Sequence, residues 1–169
     1  MRRGFHAVCL AIVLGLLPTG VPAAQPDAIV SSGRVEAVLA NEHRKHLEEI
    51  KKEFTEAGLA NLHVQFMKAG KPPTNIGLGS SVTAERARAA IRMAKKYNRD
   101  VTILLPERLF PDHYVAIASS SFDDTVEYPV SAEQLRELEN PALTTEQFHA
   151  LYRRLTPADQ PPVKKGRVF

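Results

Sequence analysis

Apolar positions recur along this chain with two periods, and the switches between them mark the predicted elements. From Arg34 to Ala57, the residues Val35, Val38, Leu39, Leu47, Ile50 and Phe54 fall on one face at helical spacing, and Gly58 stands where a helix would stop. This predicts one long amphipathic N-terminal helix. Its other face, with Glu36, Glu42, Arg44, Lys45, Glu48, Glu49, Lys51, Lys52 and Glu53, reads as a solvated charge run, and Glu48 precedes Lys52 by one helical turn. Leu62, Val64 and Phe66 then alternate with His63, Gln65 and Met67, the period of a half-buried strand.

A loop over 68–75 with Gly70, Pro72 and Pro73 leads to a short strand at Ile76–Leu78, and the two strands read as a hairpin. Thr83 opens a second helix through about Tyr97, whose small face of Ala87, Ala90, Ile91 and Ala94 suits close approach to a sheet. Val101–Leu105 and Tyr114–Ala118 read as a second hairpin around Pro106 and Pro111. Ser131 with Gln134 and Thr144 with Gln147 form capping boxes that open two more helices, separated at Asn140–Pro141. The expected class is α+β: a four-stranded mixed or antiparallel sheet, two hairpins joined by a helix, with the long N-terminal helix and two C-terminal helices. Were the strands flanking the second helix parallel, their crossover would be right-handed.

The start of the chain has a different character. Arg2, Arg3 and His6, an apolar run from Ala7 to Leu17, and Pro18–Ala23 with small residues at Val21 and Ala23 predict a cleavable export signal over 1–23. The run of about eleven residues is too short to span a membrane, which takes about twenty. Arg2-Arg3-Gly4-Phe5-His6 also echoes the twin-arginine export pattern, whereas the Leu-, Ile- and Val-rich run suits general secretion. The expected location is periplasmic or secreted, with a flexible lead at 24–32, a single domain at 33–156 and a flexible tail at 157–169.

Cleavage changes the composition. Of 22 basic residues, Arg2 and Arg3 would leave, so 20 face 19 acids and the net charge falls from +3 to +1. Such a balance gives no reason to expect nucleic acid. Cys9, the one cysteine, lies inside the signal, so the expected mature chain has neither a disulfide nor a thiolate. The 169 residues less 23 leave 146, enough for one domain.

Four groups carry candidate chemistry. Gly77, Gly79, Ser80, Ser81 and Thr83 form a strand-to-helix turn that could cradle an anion, with Glu107 near the place of a ribose-binding acid. Val82 stands where a third glycine would be needed and the lysine of a triphosphate loop is missing, so no cofactor is expected. His43 and His46, one turn apart, with His63 from the next strand, are the only candidate metal set, and no HExxH motif accompanies them. Asp112, His113, Ser119, Ser120, Ser121 and Asp123 are the materials of a Ser/His/Asp hydrolase, but they lack the glycine-flanked serine. Arg86, Arg88, Arg92, Lys95, Lys96 and Arg99 form the one basic surface, suited to an anionic glycan or an acidic protein face.

The stretch Gly77-Leu78-Gly79-Ser80, the alanines at 84, 87, 90 and 94, and the later run Tyr114–Ser119 together loosely resemble the strand-helix-strand rhythm of bacterial SPOR domains. The resemblance spans roughly residues 62 to 139 and implies binding to septal peptidoglycan. It lacks that family's glycine and aromatic pattern in the second strand, and no residue role follows from it. The expectation is an exported non-enzymatic envelope protein that binds a partner protein or an anionic wall component, with self-association through the 34–57 helix as a further option. The alternative is an exported hydrolase built around residues 112–124.

Overall fold

The computed structural model describes residues 33–122 and 129–156. The expected signal, lead and tail, together with Asp123, lie outside the described residues. Those described belong to one compact unit. Its order is β1 (Val35–Leu39), a 3-10 segment (Asn41–His46), α1 (Leu47–Glu56), β2 (Leu62–Phe66), β3 (Asn75–Leu78), α2 (Ala84–Asn98), β4 (Ile103–Leu105), a 3-10 turn (Glu107–Leu109), β5 (Val115–Ile117), α3 (Ala132–Leu138) and α4 (Thr145–Leu155). The class is α+β with a mixed sheet and four helices among the described residues.

The sheet departs from expectation in three ways. It has five strands, not four, in the order β2-β1-β5-β3-β4. The extra strand comes from the start of the segment expected to be one long helix. Val35–Leu39 is apolar at every position but Glu36 and pairs with β2 on one side and β5 on the other, which buries Val35, Ala37 and Leu39 almost completely. Over so short a run, apolar spacing cannot separate a buried strand from a helix, and pairing on both edges decides for the strand. Only Leu47, Ile50 and Phe54 stay helical, in α1. The face proposed for self-association is therefore not one face, because Val35 and Leu39 sit in the sheet.

Neither hairpin forms. β2 pairs in parallel with β1, and β4 in parallel with β3, so each helix between them serves as a crossover in a strand-helix-strand unit. β5 joins the two units, parallel to β1 and antiparallel to β3. Both crossover helices cover the same face: Phe54 of α1 stacks on Tyr97 of α2 at 5.8 Å, and Glu53 takes hydrogen bonds from Lys96 and Tyr97, both at 2.5 Å.

The core lies between that sheet face and the helices, with Ile76, Leu78, Val115 and Ile117 beneath Ala87, Ala90, Ile91 and Ala94. Alanines at these places let α2 settle close to the sheet, as the sequence predicts. α4 closes the layer with Phe148 and Tyr152, whose hydroxyl donates to the carbonyls of Leu105 at 2.8 Å and Ile76 at 3.1 Å. Both capping boxes form, at Ser131–Gln134 and Thr144–Gln147. The opposite sheet face is covered in part by Phe110, which stacks on Tyr114 and packs against Phe122.

Candidate functional site

α2 runs from one end of the sheet to the other, and the candidate chemistry sorts to its two ends. At its N-terminus, the turn from Gly77 to Thr83 is occupied by the chain itself. Thr83 caps the helix by accepting from the Arg86 amide, and Thr145 of α4 accepts from the Ala84 amide at 3.2 Å. Ser80 donates to Asp112 at 2.6 Å, the Ser81 amide to the Asp112 carbonyl and the Gly79 amide to the Tyr114 carbonyl, both at 2.8 Å. The glycines are required by close approach: a Cβ on Gly79 would overlap the carbonyls of Pro111 and Asp112, and one on Gly77 would overlap the Phe110 ring. Both glycines and three of the turn's donors therefore serve packing, which leaves little of the turn for an anion.

A buried polar cluster clamps α4 to this end. The ring nitrogens of His149 meet Glu107 at 2.5 Å and the Val82 carbonyl at 2.6 Å, and Arg153 reaches the other Glu107 oxygen at 3.2 Å. A carbonyl can only accept, so Nε2 donates, and the second proton lies on the Nδ1–Glu107 contact. His149 is 4% exposed and has no free lone pair to act as a base. Glu107 is thereby committed to His149 and Arg153, far from the role of a ribose acid.

The basic face is mostly consumed as well. Arg86 donates to the Gly33 carbonyl, and burial pulls its guanidinium below the usual arginine range. Arg88 donates to the carbonyls of Asn140 and Leu143 at 3.3 and 3.4 Å. Lys95 pairs with Glu139 at 2.7 Å and Lys96 with Glu53 at 2.5 Å. The Lys96 and Tyr97 hydrogen bonds hold the Glu53 carboxyl below the usual carboxylate range. Of the six cations, Arg92 and Arg99 alone have no partner among the described residues.

The other two sets do not assemble. His43 reaches the Tyr97 carbonyl at 3.2 Å, His46 pairs with Glu49 at 3.1 Å, and His63 lies on the exposed side of β2. No group of three or more His, Cys, Asp or Glu able to hold a metal occurs among the described residues. Asp112 is engaged by Ser80, and His113 is exposed with no partner among the described residues. The three-residue strand β5 (Val115–Ile117), about 10 Å long at about 3.3 Å per residue, runs between His113 at one end and Ser119, Ser120 and Ser121 at the other. Ser119 is itself held at both backbone groups by Asn75, at 3.0 and 2.8 Å.

The C-terminal end of α2 is open. A cleft of about 310 Å³ lies at the carboxyl end of β1, bounded by Ala40 and Glu42, the loop of Gly70, Lys71, Pro72 and Thr74, and Asn98, Arg99 and Asp100. Asn98, 6% exposed, donates from Nδ2 to the Val38 carbonyl at 3.3 Å, while its Oδ1 is buried with no partner among the described residues. Such an acceptor costs about 1–3 kcal/mol. Arg99 ends the helix at φ 75° and ψ −41°, close to a rare strained turn conformation worth about 1–3 kcal/mol. Glu42, Lys71 and Arg99 make no ion pair with one another or with any described residue.

No family model, curated protein or solved structure matches the chain, SPOR domains included. Of the cleft, the sequence reading flagged Arg99 alone. The available signal for the rest was negative: Tyr97-Asn98-Arg99-Asp100 ends a helix without the glycine that such an end favours.

Proposed function

We propose that the protein is an exported, non-enzymatic binding protein of the cell envelope that holds an anionic group, of a wall component or of a partner protein, at the C-terminal end of α2. The observation that carries this reading is the pair of cations without a partner among the described residues, Lys71 and Arg99, on one open cleft. The export half rests on the charged, apolar and small-residue segments of 1–23. Among the described residues no helix is long and apolar enough to cross a membrane. The hydrolase alternative receives no support from the distances around His113.

Two measurements test the proposal. Mass spectrometry of the protein from a secreting host is expected to find a chain beginning at Ala24, and an uncleaved chain in the cytoplasm overturns the export half. Purified mature protein is expected to be retained on peptidoglycan at low salt, less at high salt, and less again for Lys71→Ala with Arg99→Ala. Retention unchanged by the double variant removes the cleft from the function.

A further inference from the structure

We infer that the free edge of β2 pairs with β2 of a second copy of this chain, antiparallel and centred on Val64, so that one sheet runs through a two-fold dimer. β2 is an outer strand of the described sheet and shares no residue with the cleft at the end of α2. The Val35 amide donates to the Asn61 carbonyl at 3.1 Å, and the Met67 amide to the Leu39 carbonyl at 2.9 Å. In this parallel ladder, Asn61, His63, Gln65 and Met67 therefore turn their backbone groups toward β1. Successive residues alternate, so the amides and carbonyls of Leu62, Val64 and Phe66 point away from the sheet, and no described residue takes them.

Proteins block a strand edge against pairing with Lys, Pro, a bulge or a covering segment, and the two outer strands here differ in this. β4 has three residues, all buried, Pro106 follows at once, and the Thr102 carbonyl just before it takes the Val130 amide at 2.9 Å. β2 pairs with β1 along its whole length without a bulge, and no Lys, Arg, Asp, Glu or Pro stands between Ala57 and Met67. Leu62, Val64 and Phe66 pack on the core yet stay half-buried, with Arg44 laid over the Phe66 ring at 5.1 Å.

Symmetry argues for a second copy as the occupant. Antiparallel pairing about Val64 sets Val64 against Val64 and Leu62 against Phe66, so each outward amide meets an outward carbonyl and none is left over. A shift by two residues leaves such groups unpaired at both ends. Opposed residues share a face, so the two half-buried apolar rows meet on the helix side and extend the core across the axis. On the other face His63 meets Gln65, a pair that can hydrogen-bond, and no like charges oppose.

The test is analytical sedimentation, with amide hydrogen exchange followed residue by residue by NMR, on the chain purified from the secreting host. A concentration-dependent dimer is expected, in which the Leu62, Val64 and Phe66 amides exchange slowly at high concentration and fast on dilution, while those of His63 and Gln65 stay slow throughout. Val64→Lys and Val64→Glu each place like charges on the axis and are each expected to weaken dimerisation by about tenfold or more, and an equimolar mixture of the two is expected to restore it. The exchange pattern of the parent decides even if both variants fold poorly. A protein that stays monomeric up to about 1 mM with the three amides exchanging freely overturns the proposal. A monomer with those amides protected also overturns it, because the chain then covers its own edge. A dimer that ignores both Val64 variants lies on another surface, which overturns it too.

Discussion

The two ends of α2 are built on opposite terms. At the N-terminus, Thr83 and Thr145 cap, Asp112 takes Ser80, and His149 and Glu107 close the seam beneath α4. At the C-terminus, a buried acceptor has no donor, a non-glycine residue sits at positive φ, and three charges have no partner among the described residues. The first end is closed by the fold except for the buried Nε of Arg86, which has no partner among the described residues, and the second keeps an unsatisfied acceptor beside an open cleft. Polar groups that the fold satisfies serve stability, and those it leaves unsatisfied are available to something else. The glycine and hydroxyl turn, which looks most like a ligand site in sequence, is therefore the end with least to offer a ligand.

Substitutions separate the two ends. The largest loss is expected for His149→Leu, which leaves Glu107 buried beside Arg153 alone: about 4 kcal/mol by urea unfolding, with a loss below about 1 kcal/mol showing that the clamp is ornamental. Gly79→Ala, forced against two backbone carbonyls, is expected to cost about 3 kcal/mol, and a neutral result would show that the 111–112 segment yields freely.

Alkali acts at both ends. Burial raises the Tyr152 hydroxyl well above its ordinary value, and burial with the Glu53 hydrogen bond raises Tyr97. A raised folded-state pKa stabilises below the unfolded value of about 10 and is lost as pH climbs past it. Stability should therefore fall above that pH by up to about 1.4 kcal/mol per pH unit for Tyr152, and Tyr152→Phe should flatten the slope. An unchanged slope in that variant removes Tyr152 as its source.

The smallest effects belong to the open end, where one has the opposite sign. Arg99→Gly is expected to raise stability by about 1 kcal/mol, and Asn98→Leu to stay within about 1 kcal/mol of the parent, both measured by urea midpoint. A loss above about 2 kcal/mol from either would show that this end is as complete as the other, and the contrast would collapse.

What was legible followed from local chemistry. Both capping boxes, the Thr83 cap, the alanine face of α2 and the alternation of β2 each depend on residues within about one helical turn of each other. Sheet order did not, because β1, β5 and β3 lie side by side through pairings between residues tens of positions apart. The candidate site divides the same way. The hydroxyls of the Gly77–Thr83 turn are plain in sequence, but their use by Asp112 and Thr145 is not. His149 and Glu107, 42 residues apart, carry no mark of each other.

By itself the sequence determined the α+β class, the starts of the last three helices and the residues able to face a core, because these are set by side-chain period and by caps that reach only three or four residues. It also placed five cations on one helix and Arg99 just beyond its end. Tertiary structure alone decided that Val35–Leu39 would be a central strand, that four of those cations would be used within the fold, and that Arg99 would stand with Lys71 and Asn98 around an open cleft. The reason is that satisfaction of a charge or a backbone group depends on which distant segment arrives beside it, and no local pattern carries that information.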